Sequence, residues 1–308
     1  MLPTLCLLHF LVDACSAAVF VLSGDAWYLA YVYGGVAFAL QAPLGIFLDA
    51  RPKPLRSCLL TVGCLLSAGG VLVGRGWGPL AVVVACLGNA LFHVAAGKQL
   101  LERYDGAAAP QGLFISTGAF GLMLGLQTPP AMSSLWLMAP LMAYAAGLGC
   151  IWRLTGVVAS KKNEARDLRR APLCEAKGWT AVVILALMAL ITLRSWSMLR
   201  VGLQTSIAAV GLAQALVFAL AVWGGKVLGG CCGDRWGQKI VIAVGLVGGV
   251  GLWPWAAAGN VWALVLVLFV VHLMTAPALC LLYGACRGRG GLASGLNCLS
   301  LFVGSLWV

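Results

Sequence analysis

Two short stretches of this sequence share one pattern of glycine, acid and base: "GIFLDARPKP" at 45–54 and "GGCCGDRWGQKI" at 229–240. In each stretch a glycine precedes an aspartate by four residues, and an arginine follows the aspartate within two residues. A glycine one helical turn before the acid lets two helices approach closely, so the carboxylate can bond the N-terminus of a neighbouring helix. We expect Asp49 and Asp234 to do this, and the repetition itself predicts an internal duplication.

The composition around these stretches is that of a membrane protein. Of the 308 residues, 62% are hydrophobic and only 9% are charged, and the mean hydropathy is +0.98. This leaves too little polar surface to cover a water-soluble globule. The apolar runs are continuous rather than alternating, which favours helices over the strands of a barrel. We therefore predict an all-α polytopic membrane protein.

Eleven apolar runs are long enough to cross a bilayer, which takes about 20 residues per helix. The predicted spans are 4–22, 26–48, 57–74, 77–98, 107–128, 131–153, 178–199, 208–231, 239–258, 260–284 and 291–308. The longest polar interval separates the sixth span from the seventh. We therefore predict an N-terminal bundle of six helices at 1–153, a basic central loop at 154–177 and a C-terminal bundle of about five helices at 178–308.

The spacing of the repeated stretches also predicts a length for the second half. If the two repeats are equally long, the second half should end at about residue 338. The sequence ends at Val308, so we expect the second bundle to be about one helix short of six. Two explanations stay open: a clipped sequence and a naturally short protein.

The placement of the basic residues predicts the orientation in the membrane. Most of the 20 lysines and arginines fall in loops that the predicted spans place on one side. By the positive-inside rule this side is cytoplasmic, and so is the N-terminus, which predicts a multi-pass protein of the cell membrane. The net charge of +11 follows from this topology and from contact with anionic lipid. It gives no reason to expect nucleic acid as a partner.

These features together resemble the major facilitator superfamily of secondary transporters. The signature loop of that superfamily, G-x-x-x-D-R-x-G-x-K, is matched by Gly230, Asp234, Arg235, Gly237 and Lys239, and more loosely by Gly45, Asp49 and Arg51. The resemblance implies the fold of that superfamily, with two pseudo-repeated six-helix bundles. It also implies that the two loops act in gating.

Three further stretches are similar to a particular group within the superfamily. "HFLVDACSA" at 9–17, "GNALFHVAAGK" at 88–98 and "STGAFGLMLG" at 116–125 resemble the fosmidomycin-resistance type of efflux carrier. The resemblance implies export by antiport. The third stretch departs from the antiporter motif of the superfamily, because Leu126 stands where a proline usually follows the second glycine.

Ionisable residues inside the spans are the candidates for chemistry, since they are costly there and usually mark ion or substrate paths. Asp13 lies about ten residues into span one, near the bilayer midplane, and His9 lies one helical turn before it. The two side chains share a helix face and can hydrogen-bond. We predict that Asp13 binds and releases the coupled proton, with His9 as its partner. The alternative is a structural bridge to a neighbouring helix.

Other polar residues in the spans have both a functional and a structural interpretation. His93 in span four and His272 in span ten line the central cavity or simply pack between helices. Arg194 in span seven attracts an anionic substrate or, as we favour, extends to the membrane interface, where we also place Lys226. Hydrogen bonds to substrate or to adjacent helices are expected from Gln41 and Gln127.

The sequence thus predicts a secondary transporter rather than an enzyme. It would export a small molecule by alternating access, driven by protons, and would act as a monomer. The alternative is an intramembrane enzyme or sensor, but paired gating loops are needed by a carrier and not by an enzyme. The 12 cysteines include no C-x-x-C pair, and no zinc or phosphate-binding motif is present, so we predict neither a cofactor nor a metal site.

The predicted orientation can be tested by labelling single cysteines in a background that lacks the native ones. A membrane-impermeant thiol reagent added to intact cells should label a cysteine at Gly24 and should leave a cysteine at Ala165 unlabelled, because lysine and arginine are concentrated on the side of residue 165. Labelling of position 165 in intact cells would show that the orientation is the reverse.

Overall fold

The computed structural model describes residues 1–23, 27–51, 53–73, 77–127, 178–202 and 210–306. Over these ranges the chain folds into α-helices, with no strand, and a π-helical segment at Gly35–Ala39 joins the second helix to the third. The helices are α1 (Leu2–Leu22), α2 (Trp27–Gly34), α3 (Gln41–Asp49), α4 (Lys53–Val73), α5 (Gly78–Arg103), α6 (Ala108–Leu126), α7 (Gly178–Gly202), α8 (Leu212–Trp236), α9 (Gln238–Ala257), α10 (Val261–Leu273), α11 (Thr275–Ala285) and α12 (Gly290–Ser305).

The helices confirm the membrane class predicted from the sequence. Among the described residues, nine helical segments are long and apolar enough to cross a membrane. The segment Tyr31–Asp49 includes α3, and Val261–Ala285 combines α10 with α11. Most segments agree with the predicted spans to within a few residues, so the chain is a multi-pass, all-α membrane protein. The predicted span 131–153 and the central loop 154–177 lie outside the described residues.

The helices pack around two separate hydrophobic cores. The first core is formed by α1 to α6, with Val12, Ala18 and Phe92 fully buried in it. The second is formed mainly by α7 to α12, with Val267 and Leu282 fully buried in it. Two cores of this kind match the expected pair of helical bundles.

Glycines set the distance between α1 and α6. Gly121 and Gly125 face the backbone of α1, since a Cβ at Gly121 would contact the carbonyl group of Phe10 and one at Gly125 would contact Ala14. Small residues at helical spacing let two backbones approach closely in a membrane, where packing drives association. The glycine-rich stretch at 116–125 therefore determines how closely α6 approaches the polar face of α1.

The two groups of helices meet along two seams, α6 against α8 and α3 against α12. A Cβ at Gly230 would lie 2.6 Å from the carbonyl oxygen of Ala108. A Cβ at Gly45 would contact the backbone of Gly291. Both glycines of the repeated pattern therefore stand where a helix of one group touches a helix of the other.

The repeated stretch at 229–240 is more helical than the sequence suggested. We expected a turn between spans eight and nine, but α8 continues to Trp236 and α9 begins at Gln238. The only residue between them is Gly237, whose φ of 99° lies in the left-handed region that favours glycine. Since Asp234 is still helical, its side chain is held in a fixed direction.

Candidate functional site

Asp49 connects the end of α3 to the start of α12. Its Oδ1 accepts a hydrogen bond from the backbone N–H of Gly291 at 2.9 Å, and its Oδ2 accepts one from Leu292 at 2.8 Å. The first N–H groups of a helix have no partner within that helix, and the helix dipole favours a negative charge beside them. Asp49 therefore caps α12 with two charge-assisted hydrogen bonds.

Asp234 makes the equivalent contact at the other seam. Its Oδ1 accepts from the N–H of Ala108 at 2.7 Å and its Oδ2 from Ala109 at 2.8 Å, at the start of α6. The acid of each half thus caps a helix of the other half, and both contacts lie at one end of the molecule. We call these two contacts the carboxylate clasps. They confirm the prediction that both aspartates bond the N-terminus of a neighbouring helix.

The remaining residues of the signature pattern surround the clasps. Arg51, Arg235 and Lys239 are exposed, as expected of basic residues that face lipid headgroups. The Arg51 guanidinium lies 4.7 Å from the centre of the Phe47 ring. We call this end of the molecule the basic end.

A buried ion-pair network supports the clasp of Asp49, and sequence reasoning missed it. The Lys98 side chain is 0% exposed, its Nζ lies 2.5 Å from Asp49 Oδ1, and it also contacts Glu102. Glu102 in turn accepts from Arg56 at 2.8 Å. Two charges of each sign are thus paired. Lys98 and Glu102 lie one helical turn apart, and this spacing could have predicted their ion pair. Asp49 and Arg56 are distant in sequence and come into contact with them only in the folded chain.

A second polar cluster lies away from the basic end, between α1 and α5, and we call it the His–Asp–His cluster. The Nε2 of His9 lies 3.1 Å from Asp13 Oδ2, and the Nε2 of His93 lies 3.4 Å from Asp13 Oδ1. The Nδ2 of Asn89 donates to Asp13 Oδ1 at 3.1 Å. The structure therefore brings His9 and His93 together at Asp13 and adds Asn89, which sequence reasoning missed although it precedes His93 by one turn.

The cluster is where the stretches at 9–17, 88–98 and 116–125 converge. His9 and Asp13 belong to the first stretch, His93 to the second, and Gly118 to the third. A Cβ at Gly118 would lie 2.6 Å from His9 Nε2 and would also contact Asp13. The backbone of α6 therefore closes one side of the cluster.

The hydrogen bonds of the two histidines determine which ring nitrogen carries a proton. His9 Nδ1 lies 2.7 Å from the carbonyl oxygen of Phe114, and His93 Nδ1 lies 2.9 Å from that of Asn89. A carbonyl oxygen only accepts, so each Nδ1 must be the donor. In the neutral rings, each Nε2 therefore presents a lone pair to Asp13. A lone pair and a carboxylate oxygen repel each other unless a proton or another cation lies between them.

The structure corrects the interpretation of two basic residues in the spans. Arg194 does not extend to the membrane interface: it is only 9% exposed and donates from Nη1 to Thr275 Oγ1 at 2.7 Å. Lys226 is half-buried and donates from Nζ to the carbonyl oxygen of Ile115 at 2.9 Å, across the α6 and α8 seam. Sequence cannot show which side of an apolar helix faces protein, and here both side chains face inward.

The other predicted residues lie outside the cluster. His272 donates from Nδ1 to the Leu268 carbonyl of its own helix at 2.7 Å. Gln41 is fully buried and donates to the Ala37 carbonyl at 2.7 Å, and Gln127 donates to the Val210 carbonyl at 3.3 Å. In each of these contacts the side chain donates to a backbone carbonyl oxygen of the protein, so the contacts do not by themselves indicate a ligand.

The two cores, the membrane-spanning helices and the paired seams define the fold of the major facilitator superfamily. FucP, the E. coli fucose:proton symporter, matches this chain in its outward conformation with a TM-score of 0.64 and 13% identity, over 99% of this chain and 89% of its own. A bacterial homologue of the iron transporter ferroportin, in an outward-facing state, matches with a TM-score of 0.62 and 15% identity, over 100% of this chain and 90% of its own.

A variant of the nucleoside transporter NupG also matches, with a TM-score of 0.51 and 14% identity, over 99% of this chain and 91% of its own. No protein-family model matches the sequence, and no curated protein matches it. At these identities the likeness is one of fold.

Proposed function

We propose that this protein is a secondary active transporter that moves a small molecule across the membrane by alternating access between its two bundles, residues 1–153 and 178–308. The observation that carries the proposal is the pair of carboxylate clasps. Each clasp joins the two halves, and both lie at the basic end. A transporter of this kind needs contacts of this type, since they must hold one end closed and release it in each cycle.

The basic end is the cytoplasmic end in this proposal, in line with the positive-inside rule. With the clasps formed, the protein is closed to the cytoplasm. Opening requires both aspartates to leave the helix N-termini, and water then takes their place as hydrogen-bonding partners. Each clasp consists of two charge-assisted hydrogen bonds. Such a contact stabilises the state that is closed to the cytoplasm, yet it can break on the timescale of transport.

Transport is export, driven by proton exchange at Asp13. Two features support this step. The Asp13 carboxylate faces two Nε2 lone pairs, an arrangement that needs a positive charge between the groups. Among the nine acidic residues of the sequence, Asp13 alone lies well inside a span predicted from the sequence. The resemblance of the surrounding stretches to efflux carriers supports the direction.

The proposal is tested by locking the α6 and α8 seam with a disulfide. A Cβ at Gly233 would lie 3.4 Å from the Cβ of Ala108, close to the separation of about 3.5–4.5 Å found in disulfides. The double variant Ala108→Cys/Gly233→Cys, without the native cysteines, should lose transport in proteoliposomes on oxidation and regain it on reduction. The readout is uptake of a panel of radiolabelled small molecules.

A disulfide inside one half is the matched control. A Cβ at Gly248 would lie 3.7 Å from the Cβ of Val270, and both residues lie in the second half, on α9 and α10. Oxidation of Gly248→Cys/Val270→Cys should leave transport unchanged, because no seam has to open between them. Full transport by the oxidised Ala108→Cys/Gly233→Cys protein would overturn the proposal.

A further inference from the structure

The His–Asp–His cluster has the geometry of a metal site as well as that of a proton site. Its three donor atoms, one from each side chain of His9, Asp13 and His93, all lie within 4.8 Å of one another. The Nε2 of His9 lies 3.1 Å from one carboxylate oxygen of Asp13, Oδ2, and the Nε2 of His93 lies 3.4 Å from the other, Oδ1. Zinc binds nitrogen and oxygen ligands at about 2.0–2.2 Å, so neighbouring ligand atoms in a tetrahedral site lie about 3.3 Å apart.

The hydrogen bonds around the cluster are those of histidines prepared to bind a metal ion. A ligating histidine normally donates its other ring N–H to a carbonyl or carboxylate, which fixes the ring and its tautomer. Here Phe114 and Asn89 provide the two carbonyl oxygens. Both Nε2 lone pairs are thereby directed at Asp13, and the ligating carboxylate is itself held by the amide of Asn89.

One more oxygen is available in the same place. Asn89 is 2% exposed, and within the part of the chain that the structure describes its Oδ1 has no hydrogen-bond partner. A buried amide oxygen without a partner carries a free-energy cost that a cation would remove. The amide of Asn89 already contacts Asp13 through Nδ2, so its oxygen lies next to the three donor side chains.

We infer that His9, Asp13 and His93 bind a divalent first-row transition-metal ion, and that such an ion is the transported substrate. The second part rests on the proposed function. Two imidazoles with one carboxylate favour ions such as Zn²⁺, Co²⁺ or Fe²⁺ over Mg²⁺ and Ca²⁺, which prefer oxygen ligands.

The net charge of the site limits its affinity for the metal ion, so that a transported ion can be released. Asp13 supplies one negative charge against the two positive charges of the ion, and Lys226 of α8 adds a further positive charge that acts on Asp13. The bound state therefore keeps a net positive charge at membrane depth, which limits affinity. Lys226 donates across the seam to α6, so opening of the seam changes this repulsion.

Binding is tested on the purified full-length protein in detergent, with Zn²⁺ titrated by calorimetry and Co²⁺ followed by its ligand-field absorption. We expect one Zn²⁺ per chain, no competition from excess Mg²⁺, and a Co²⁺ spectrum typical of nitrogen and oxygen ligands. His93→Gln, His9→Gln and Asp13→Asn should each weaken Zn²⁺ binding by at least about tenfold. Lys226→Gln should instead strengthen binding, because it removes a repelling charge.

His272→Gln is the matched control. His272 also donates from Nδ1 to a carbonyl of its own helix, but among the described residues it belongs to no group of metal-ligating side chains. Zn²⁺ affinity should be unchanged in this variant. No Zn²⁺ binding by wild type, or equal loss in His93→Gln and His272→Gln, would overturn the metal site.

Transport of the ion is measured separately in proteoliposomes that contain a Zn²⁺-sensitive dye and carry an imposed pH gradient. Wild type should move Zn²⁺ and His93→Gln should not. If wild type binds Zn²⁺ but does not move it, the substrate class is wrong. The proposed function fails on a different result, namely transport that is unaffected by the disulfide between residues 108 and 233.

Discussion

Replacing Asp13 by asparagine is expected to abolish gradient-driven accumulation of substrate. Coupling requires a group that changes charge at membrane depth, and an asparagine side chain does not bind and release a proton. The variant should still fold, because an amide of the same shape can donate a hydrogen bond to the Nε2 lone pair of His9, which lies 3.1 Å from the carboxylate. For each proton exchanged, a gradient of one pH unit supports about tenfold accumulation. In the Asp13→Asn variant, the pH gradient should no longer produce this accumulation.

The measurement is substrate uptake into vesicles with and without an imposed pH gradient, for wild type and variant. Asp105→Asn is the matched control: Asp105 is exposed, lies in the turn between α5 and α6, and has a φ of 50° that asparagine tolerates well. Its uptake should respond to the gradient as wild type does. If Asp13→Asn still accumulates substrate in response to the gradient, Asp13 is structural and coupling lies with His93, His272 or another ion.

Replacing Lys98 by methionine is expected to destabilise the protein strongly. The lysine is 0% exposed and pairs with Asp49 and Glu102, so Lys98→Met leaves two largely buried carboxylates with less positive charge beside them. Breaking a buried ion pair in this way costs about 3–5 kcal/mol. The free energy of unfolding in detergent, obtained from denaturant titration followed by circular dichroism, should fall by an amount of this order.

Two further variants separate the charge effect from the loss of packing. Lys239→Met removes an exposed lysine and should change the free energy of unfolding by less than about 1 kcal/mol. Adding Asp49→Asn to Lys98→Met removes one of the two carboxylates that lost the Lys98 ammonium and should recover part of the lost stability, as a double-mutant cycle measures. Equal stability of Lys98→Met and wild type would show that the network contributes nothing.

Pairs of residues on one helix were within reach of sequence reasoning. The spacing of His9 and Asp13 alone predicted their contact, because residues four apart share a helix face. The sequence also predicted that each clasp aspartate bonds the N-terminus of another helix, since a glycine one turn before an acid indicates close approach of two helices. The sequence did not predict which helices those are, because Gly291 lies 242 residues after Asp49 and Ala108 lies 126 residues before Asp234.

The sequence by itself determined the membrane class and the helical spans, because the hydrophobicity and length of a segment are local properties that decide whether it crosses a bilayer. It also located the two acids of the clasps and the acid in the middle of α1. Only the tertiary structure decided that His93 joins His9 at Asp13, that Lys98 is buried against Asp49, and that Arg194 faces inward. These contacts depend on the rotation of each helix and on the helix that packs beside it, and an apolar segment is nearly uniform around its axis.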